Sequence, residues 1–74
     1  MNILKGLSFI EKNNDKVIKI WVTCDNYIFV GTSWEDRFVV VECGEVEREN
    51  LREIDFIIEM FCKVHKINYE FICE

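Results

Sequence analysis

One central apolar stretch decides the fold of this chain. Residues 16–43 read KVIKIWVTCDNYIFVGTSWEDRFVVVEC. Successive side chains of a strand point to opposite faces, so a stretch that is apolar at almost every position predicts strands with two apolar faces. Clusters of Asp, Asn, Gly and Ser mark two turns within it. The pattern therefore predicts three consecutive antiparallel strands, at 16–24, 27–31 and 37–43.

The first turn predicts how these strands pair. A two-residue turn at Asp25-Asn26 would place Trp21 opposite Val30. In this register one sheet face packs against a helix, and the other face remains apolar. That second face would carry Val17, Trp21, Ile28, Val30, Phe38 and Val40. A large contiguous apolar patch usually marks an interaction surface, so we expect a protein partner or a second copy of the chain.

The C-terminal third predicts a helix followed by a strand. Asn50 can cap a helix at 51–65, and Glu53 stands where a capping box needs an acidic residue. The run at 67–73 alternates between apolar and polar residues and predicts a last strand. The apolar stripe of the helix consists of Leu51, Ile54, Ile57, Ile58, Phe61, Val64 and His65.

The N-terminal segment 2–11 has two interpretations. Ile3, Leu7 and Phe9 alternate loosely as in a strand, whereas a helical stripe also fits, with Gly6 interrupting it. The predicted class is α+β. The order β-β-β-β-α-β gives a four- to five-stranded antiparallel sheet with one helix packed on a face. The alternative order is α-β-β-β-α-β, in which two helices could cover both faces.

Size and charge limit the classes of function. The 74 residues form one predicted domain, 1–74, with a net charge of −5. Nucleic acids and anionic membranes attract clustered Lys and Arg, so we expect no direct binding to either. An acidic chain can bind a basic protein, including one that normally holds DNA or RNA. We find no signal-peptide pattern and expect a cytoplasmic location.

Nothing in the sequence indicates catalysis or a cofactor. The four cysteines, at 24, 43, 62 and 73, contain no C-x-x-C pair, and they predict buried thiols rather than a metal site or disulfides. His65 is the single histidine, and neither a nucleophile motif nor a glycine-rich phosphate loop is present. We therefore expect a protein that is not an enzyme and needs no cofactor or metal.

Aromatic and acidic residues outside the predicted core are the candidates for partner binding. Trp is enriched at binding hot spots, and a Phe/Met pair four residues apart on a helix can form a small docking patch. A row of carboxylates can imitate the spacing of nucleic-acid phosphates for a basic groove. The candidates are Trp21, Trp34, Glu35, Asp36, Phe38, Glu45, Glu47, Glu49, Phe56 and Met60.

These features favour a small acidic interaction module over an enzyme. One concrete form is an inhibitor that occupies the nucleic-acid-binding surface of a basic target protein. Small acidic inhibitors encoded by phages and mobile elements, including those that block CRISPR effectors, share this size and charge, which is an analogy of class only. The alternatives are a homodimeric structural or regulatory protein and a small ligand-binding barrel.

Overall fold

The computed structural model describes residues 2–73 and has an α+β fold. A four-stranded sheet carries two helices, in the strand order β3-β2-β1-β4. Strands β1, β2 and β3 pair antiparallel, but β4 pairs parallel with β1, so the sheet is mixed and the prediction of an antiparallel sheet is wrong. The elements are α1 (Ile3–Lys12), β1 (Ile18–Val22), β2 (Tyr27–Trp34), β3 (Arg37–Glu45), α2 (Leu51–Val64) and β4 (Tyr69–Cys73), with a 3₁₀ turn at Arg48–Asn50 before α2.

The N-terminal segment is a helix, so the order α-β-β-β-α-β is confirmed and the strand interpretation of 2–11 is wrong. The side chain of Asn2 caps α1 by accepting a hydrogen bond from the Lys5 N–H at 3.1 Å. Gly6 does not break the helix but brings it close to the sheet. A Cβ at Gly6 would stand 2.6 Å from Cys43 Sγ, so the close packing of α1 on β3 requires glycine.

Both helices lie on the same face of the sheet. Ile10 of α1 and Ile58 and Cys62 of α2 belong to one buried cluster with the β1 and β2 side chains Ile20 and Val30. This inner face consists of Ile18, Ile20, Val22, Ile28, Val30, Thr32, Val39, Val41 and Cys43. The expectation that two helices would cover both faces is therefore wrong. The opposite, outer face consists of Val17, Lys19, Trp21, Phe29, Gly31, Phe38, Val40, Glu42, Glu70 and Ile72.

The topology explains this one-sided arrangement. Strands β3 and β4 lie at opposite edges of the sheet. They run in the same direction, because β3 is antiparallel to β2, β2 is antiparallel to β1, and β1 is parallel to β4. The connection between them must cross β2 and β1, and α2 makes this crossing beside α1. Helix α2 stops abruptly after Val64, because Lys66 adopts a left-handed φ of 57°. The Ile67 N–H then donates a hydrogen bond to the Cys62 carbonyl at 2.8 Å and closes the end of the helix.

The first hairpin differs from its prediction by one residue. Three residues, 24–26, form the turn, and Asn26 takes a left-handed φ of 63°. The Thr23 N–H donates to the Tyr27 carbonyl at 3.0 Å, so Trp21 pairs with Phe29 instead of Val30. A shift of one residue exchanges the two faces of a strand. Ile28 and Val30 are therefore buried on the inner face, and Phe29 replaces them outside.

Strand β2 is longer than predicted, and α2 buries a different set of side chains from the predicted stripe. The second hairpin turns at Glu35-Asp36 only, so Trp34 ends a strand rather than standing in a long loop. In β3, Phe38 and Val40 lie on the outer face as predicted, and Cys43 is buried on the inner face. In α2, Ile57, Val64 and His65 are exposed, contrary to the predicted stripe, and Cys62 is buried instead. No side-chain bond from Asn50 caps this helix, because the 3₁₀ turn precedes it.

The cysteine predictions are confirmed in part. Cys43 and Cys62 are buried free thiols in the core, whereas Cys24 is a free thiol exposed in the first hairpin turn, where its predicted burial is wrong. The side chain of Cys73 lies outside what the structure describes. Burial raises the pKa of the Cys43 thiol, and burial together with the negative charge of Glu59 raises that of Cys62 to about 11.

Candidate interaction surface

The outer sheet face exposes apolar side chains that nothing in the described chain covers. Of the side chains at its rim, Phe38 is 44% exposed, Val40 46% and Val17 43%. Trp21, Phe29 and Ile72 on the same face are half-buried. Large apolar side chains that remain contiguous and exposed mark interaction surfaces more often than isolated ones do. This face has the character that the sequence predicts, although its members differ at Ile28, Val30 and Phe29.

The outer face carries an aromatic cluster that joins a β1 side chain to one of the edge strand β3. The rings of Trp21 and Phe38 meet edge to face, with their centroids 5.0 Å apart. Gly31 makes this contact possible, because the Phe38 ring covers it and a Cβ there would stand 3.0 Å from two ring carbons. The Lys19 ammonium lies 5.9 Å from the Phe38 ring centroid. The cluster is therefore a fixed arrangement with one positive charge beside it.

Acidic residues flank this face. On the outer face Glu42 lies opposite Phe29 in β2, and Glu70 lies opposite Lys19 in β1. No salt bridge joins Lys19 to either carboxylate among the described residues. The carboxylates therefore remain available to a positively charged partner that approaches the apolar surface.

The second hairpin forms a separate exposed tip. Trp34 is 55% exposed at the end of β2, and the Lys16 ammonium lies 5.6 Å from its ring centroid. Glu35 and Asp36 form the turn itself and are exposed, with Glu35 in a left-handed conformation at φ 56°. The tip places an aromatic ring beside two carboxylates. Trp34 lies on the inner-face side of β2 by its alternation, so it does not join the Trp21 cluster.

The acidic segment between β3 and α2 borders a groove. The cavity measures about 480 Å³ and is lined by Glu45, Val46, Glu47, Asn50, Glu53 and Ile54. Its floor includes an apolar residue, Val46, which is 6% exposed. A floor of this kind beneath three carboxylates suits the aliphatic stem and cationic head of a Lys or Arg side chain. Glu49 stands exposed in the neighbouring 3₁₀ turn and does not line the groove.

The predicted Phe/Met pair lies on α2 and is exposed. Phe56 is 62% exposed, and Met60 one turn further along is also exposed. This pair stands apart from the sheet face, which the helices do not cover. The ten candidate residues therefore occupy four places: the outer face, the hairpin tip, the acidic segment and the outside of α2. Among them, the rings of Trp21 and Phe38 are in contact.

Sequence reasoning missed one feature of α2. Asp55 lies on its packed side, and its buried Oδ1 finds no hydrogen-bond partner among the residues that the structure describes. Burial, together with the like charge of Glu59 one turn away, raises the pKa of Asp55 to about 6. Tyr69 of β4 lies near Glu59 and Lys63, and its pKa is raised by desolvation and by Glu59. The four-residue spacing of Asp55 and Glu59 predicts that the two carboxylates are neighbours on a helix, but it does not predict that Asp55 is partly buried.

The single histidine lies at the end of α2. His65 packs on Phe61, with ring centroids 4.5 Å apart, beside a cavity of about 330 Å³ that Glu11 and Asn14 also line. Among the side chains that the structure describes, which exclude that of Cys73, no group of three or more from His, Cys, Asp and Glu is placed to hold a metal ion. No helix in the described part of the chain is long and apolar enough to cross a membrane.

Comparison with known proteins gives no assignment. No family model matches the chain, and neither the curated proteins nor the solved structures contain a significant match.

Proposed function

We propose that this chain is a small acidic protein-interaction module that occupies the nucleic-acid-binding surface of a basic target protein. The observation that carries the proposal is the outer sheet face, where exposed apolar side chains surround the Trp21–Phe38 cluster while both helices pack on the other side. A chain this small has few apolar residues to spare, so leaving several of them in water favours their use at an interface.

Charge supports a basic target. The net charge is −5, and the carboxylates Glu42 and Glu70 stand on the same face as the apolar cluster. The groove with Glu45, Glu47 and Glu53 offers a second place for Lys or Arg side chains. Complementary charge of this kind accelerates encounter and selects the partner, while the buried apolar contacts contribute most of the affinity.

The test combines affinity capture with competition. The immobilised chain is exposed to a cell extract at low salt, and each captured protein is purified and titrated against the chain with and without a DNA or RNA oligonucleotide. We expect a basic nucleic-acid-binding protein whose binding weakens with salt and whose oligonucleotide is displaced. Capture that is indifferent to salt and to oligonucleotide would refute occupation of a nucleic-acid surface.

Two variants identify the surface used. Phe38→Ser removes the exposed ring of the outer face, and we expect binding to the purified target to weaken about tenfold or more. The triple variant Glu45→Gln, Glu47→Gln and Glu53→Gln removes the carboxylates of the groove and tests its share of the salt dependence. Glu11→Gln on α1 is the control, because it removes an exposed carboxylate remote from the outer face. Equal binding by wild type and Phe38→Ser would contradict the use of this face.

A further inference from the structure

The open edge of β3 is the least protected part of the sheet. Arg37–Glu45 is the longest strand, and its residues 37–40 are exposed on both faces. It contains three consecutive valines at 39–41 and no proline. Proteins usually guard an edge with Lys, Pro or a covering loop, because its unpaired N–H and C=O groups can pair with another strand. The opposite edge, β4, is only five residues long.

The turn defines which backbone groups face the open edge. Trp34 and Arg37 flank a two-residue turn, and residues in that position exchange both of their main-chain hydrogen bonds. Because these directions alternate along a strand, the main-chain N–H and C=O of Val39 also point towards β2. The Val39 carbonyl oxygen accordingly lies close to Gly31 of β2, 2.7 Å from the position that a Cβ would take there. The N–H and C=O groups of Phe38, Val40 and Glu42 therefore point outwards. Beyond them the edge closes, since the Cys43 carbonyl accepts from the Asn2 N–H at 2.7 Å.

We infer that β3 of a second copy of this chain pairs antiparallel with this edge, with Val40 opposite Val40 on a two-fold axis. In this register Phe38 of each copy lies opposite Glu42 of the other. All three outward-facing residues then satisfy both of their backbone groups, giving six hydrogen bonds across the seam. Centring the pair on Val39 instead would leave Glu42 opposite Asp36, where two carboxylates repel.

Side chains on both faces agree with this register. On the outer face, the carboxylate of Glu42 comes beside the Phe38 ring of the other copy, which the Lys19 ammonium already approaches at 5.9 Å. Opposite charges thus meet at each end of the seam. On the inner face, Val39 lies opposite Val41 of the other copy, which covers the exposed part of Val39. This charge complementarity is the reason for choosing a second copy over a foreign strand, and the inference does not depend on the proposed function.

The test is sedimentation velocity of the full chain from micromolar to millimolar concentration. We expect a monomer–dimer equilibrium whose dimer fraction rises with the concentration of the chain. Val40→Lys brings two ammonium groups together on the axis and abolishes the dimer. Val17→Lys is the matched control, since Val17 is exposed to the same degree on the outer face but lies away from the β3 edge. Circular dichroism verifies that both variants fold.

A cross-link tests the register directly. Residues opposite each other in such a pair have Cα atoms about 5.5 Å apart, within the range that a disulfide spans. In a Cys24→Ser background, Val40→Cys should give a disulfide-linked dimer on mild oxidation, whereas Val17→Cys in that background should not. A chain that stays monomeric throughout would overturn the inference. So would a dimer that Val17→Lys disrupts as fully as Val40→Lys, or one that Val40→Cys fails to cross-link.

Discussion

Asp55 should make this protein less stable at neutral pH than in mild acid. Its carboxyl has a pKa of about 6 in the folded chain, raised by burial and by Glu59 from an ordinary value of 3.8. Well below pH 3.8 the group is protonated whether the chain is folded or unfolded. Above pH 6 it is ionised in both states, and only the folded state carries the penalty. The contribution of Asp55 to stability therefore falls as pH rises from about 4 to about 6.

The size of this effect follows from the pKa difference. A change from 3.8 to about 6 corresponds to a ceiling of about 3 kcal/mol. Asp55 remains partly exposed, and solvent screens its charge, so we expect about 1 kcal/mol. Asp55→Asn removes the charge while keeping the shape. The free energy of unfolding should rise by about 1 kcal/mol at pH 7.5 and by little at pH 4.

Urea denaturation at pH 4, 5, 6 and 7.5 measures this difference between variant and wild type. Comparison of the two chains at each pH removes the contribution of the other carboxylates, provided that the slopes with urea agree. Glu59→Gln should give a smaller gain, since it removes only the like charge, and Asp25→Asn is an exposed-carboxyl control. The reasoning fails if Asp55→Asn gains nothing at pH 7.5, or gains equally at pH 4.

Three further predictions concern packing and accessibility. Gly31→Ala should cost about 1–3 kcal/mol of stability in urea denaturation, because the new Cβ meets backbone and the Phe38 ring; a neutral result would contradict the close approach. Thr32→Val should cost about 1 kcal/mol, since the Val17 carbonyl loses the 2.7 Å hydrogen bond from the hydroxyl, and Thr32→Ser should retain most of the stability. Peptide mapping after treatment with a thiol reagent should find Cys24 labelled in the folded protein and Cys62 labelled only after unfolding; equal rates would refute the buried placement.

The sequence predicts the elements better than their pairing. Strong alternation in 16–24 and helical periodicity in 51–65 depend on local burial, which the sequence records directly. The hairpin register depends on one backbone angle: Asn26 adopts a left-handed conformation, which adds a residue to the turn. Asp-Asn suits either turn length, so composition could not distinguish them. That single residue moves Phe29 to the outer face and Val30 to the core.

The side on which each helix packs is also a property of the topology. Parallel pairing of β4 with β1 requires α2 to cross the sheet, and no residue pattern in 67–73 distinguishes a parallel partner from an antiparallel one. The rotation of α2 that brings Asp55 inward has the same origin, because its contacts with α1 and β4 decide the packed side. The apolar pattern of the sequence predicts Ile57 on the packed side of α2, but Ile57 is exposed. Trp21 and Phe38 lie on the same sheet face, as predicted, because β1 and β3 keep their predicted alternation.

The two proposed interactions can operate together. A two-fold axis perpendicular to the sheet at Val40 would place the outer faces of both copies on the same side of one eight-stranded sheet. The Trp21–Phe38 clusters would then form a single, doubled surface for a target. Salt should weaken binding to a basic partner, because that contact joins opposite charges. A Val40→Lys chain loses the avidity of two linked surfaces as well as one exposed apolar side chain of the outer face, whereas Val17→Lys loses only such a side chain. Target binding should therefore weaken more in Val40→Lys than in Val17→Lys, and equal weakening would show that one copy acts alone.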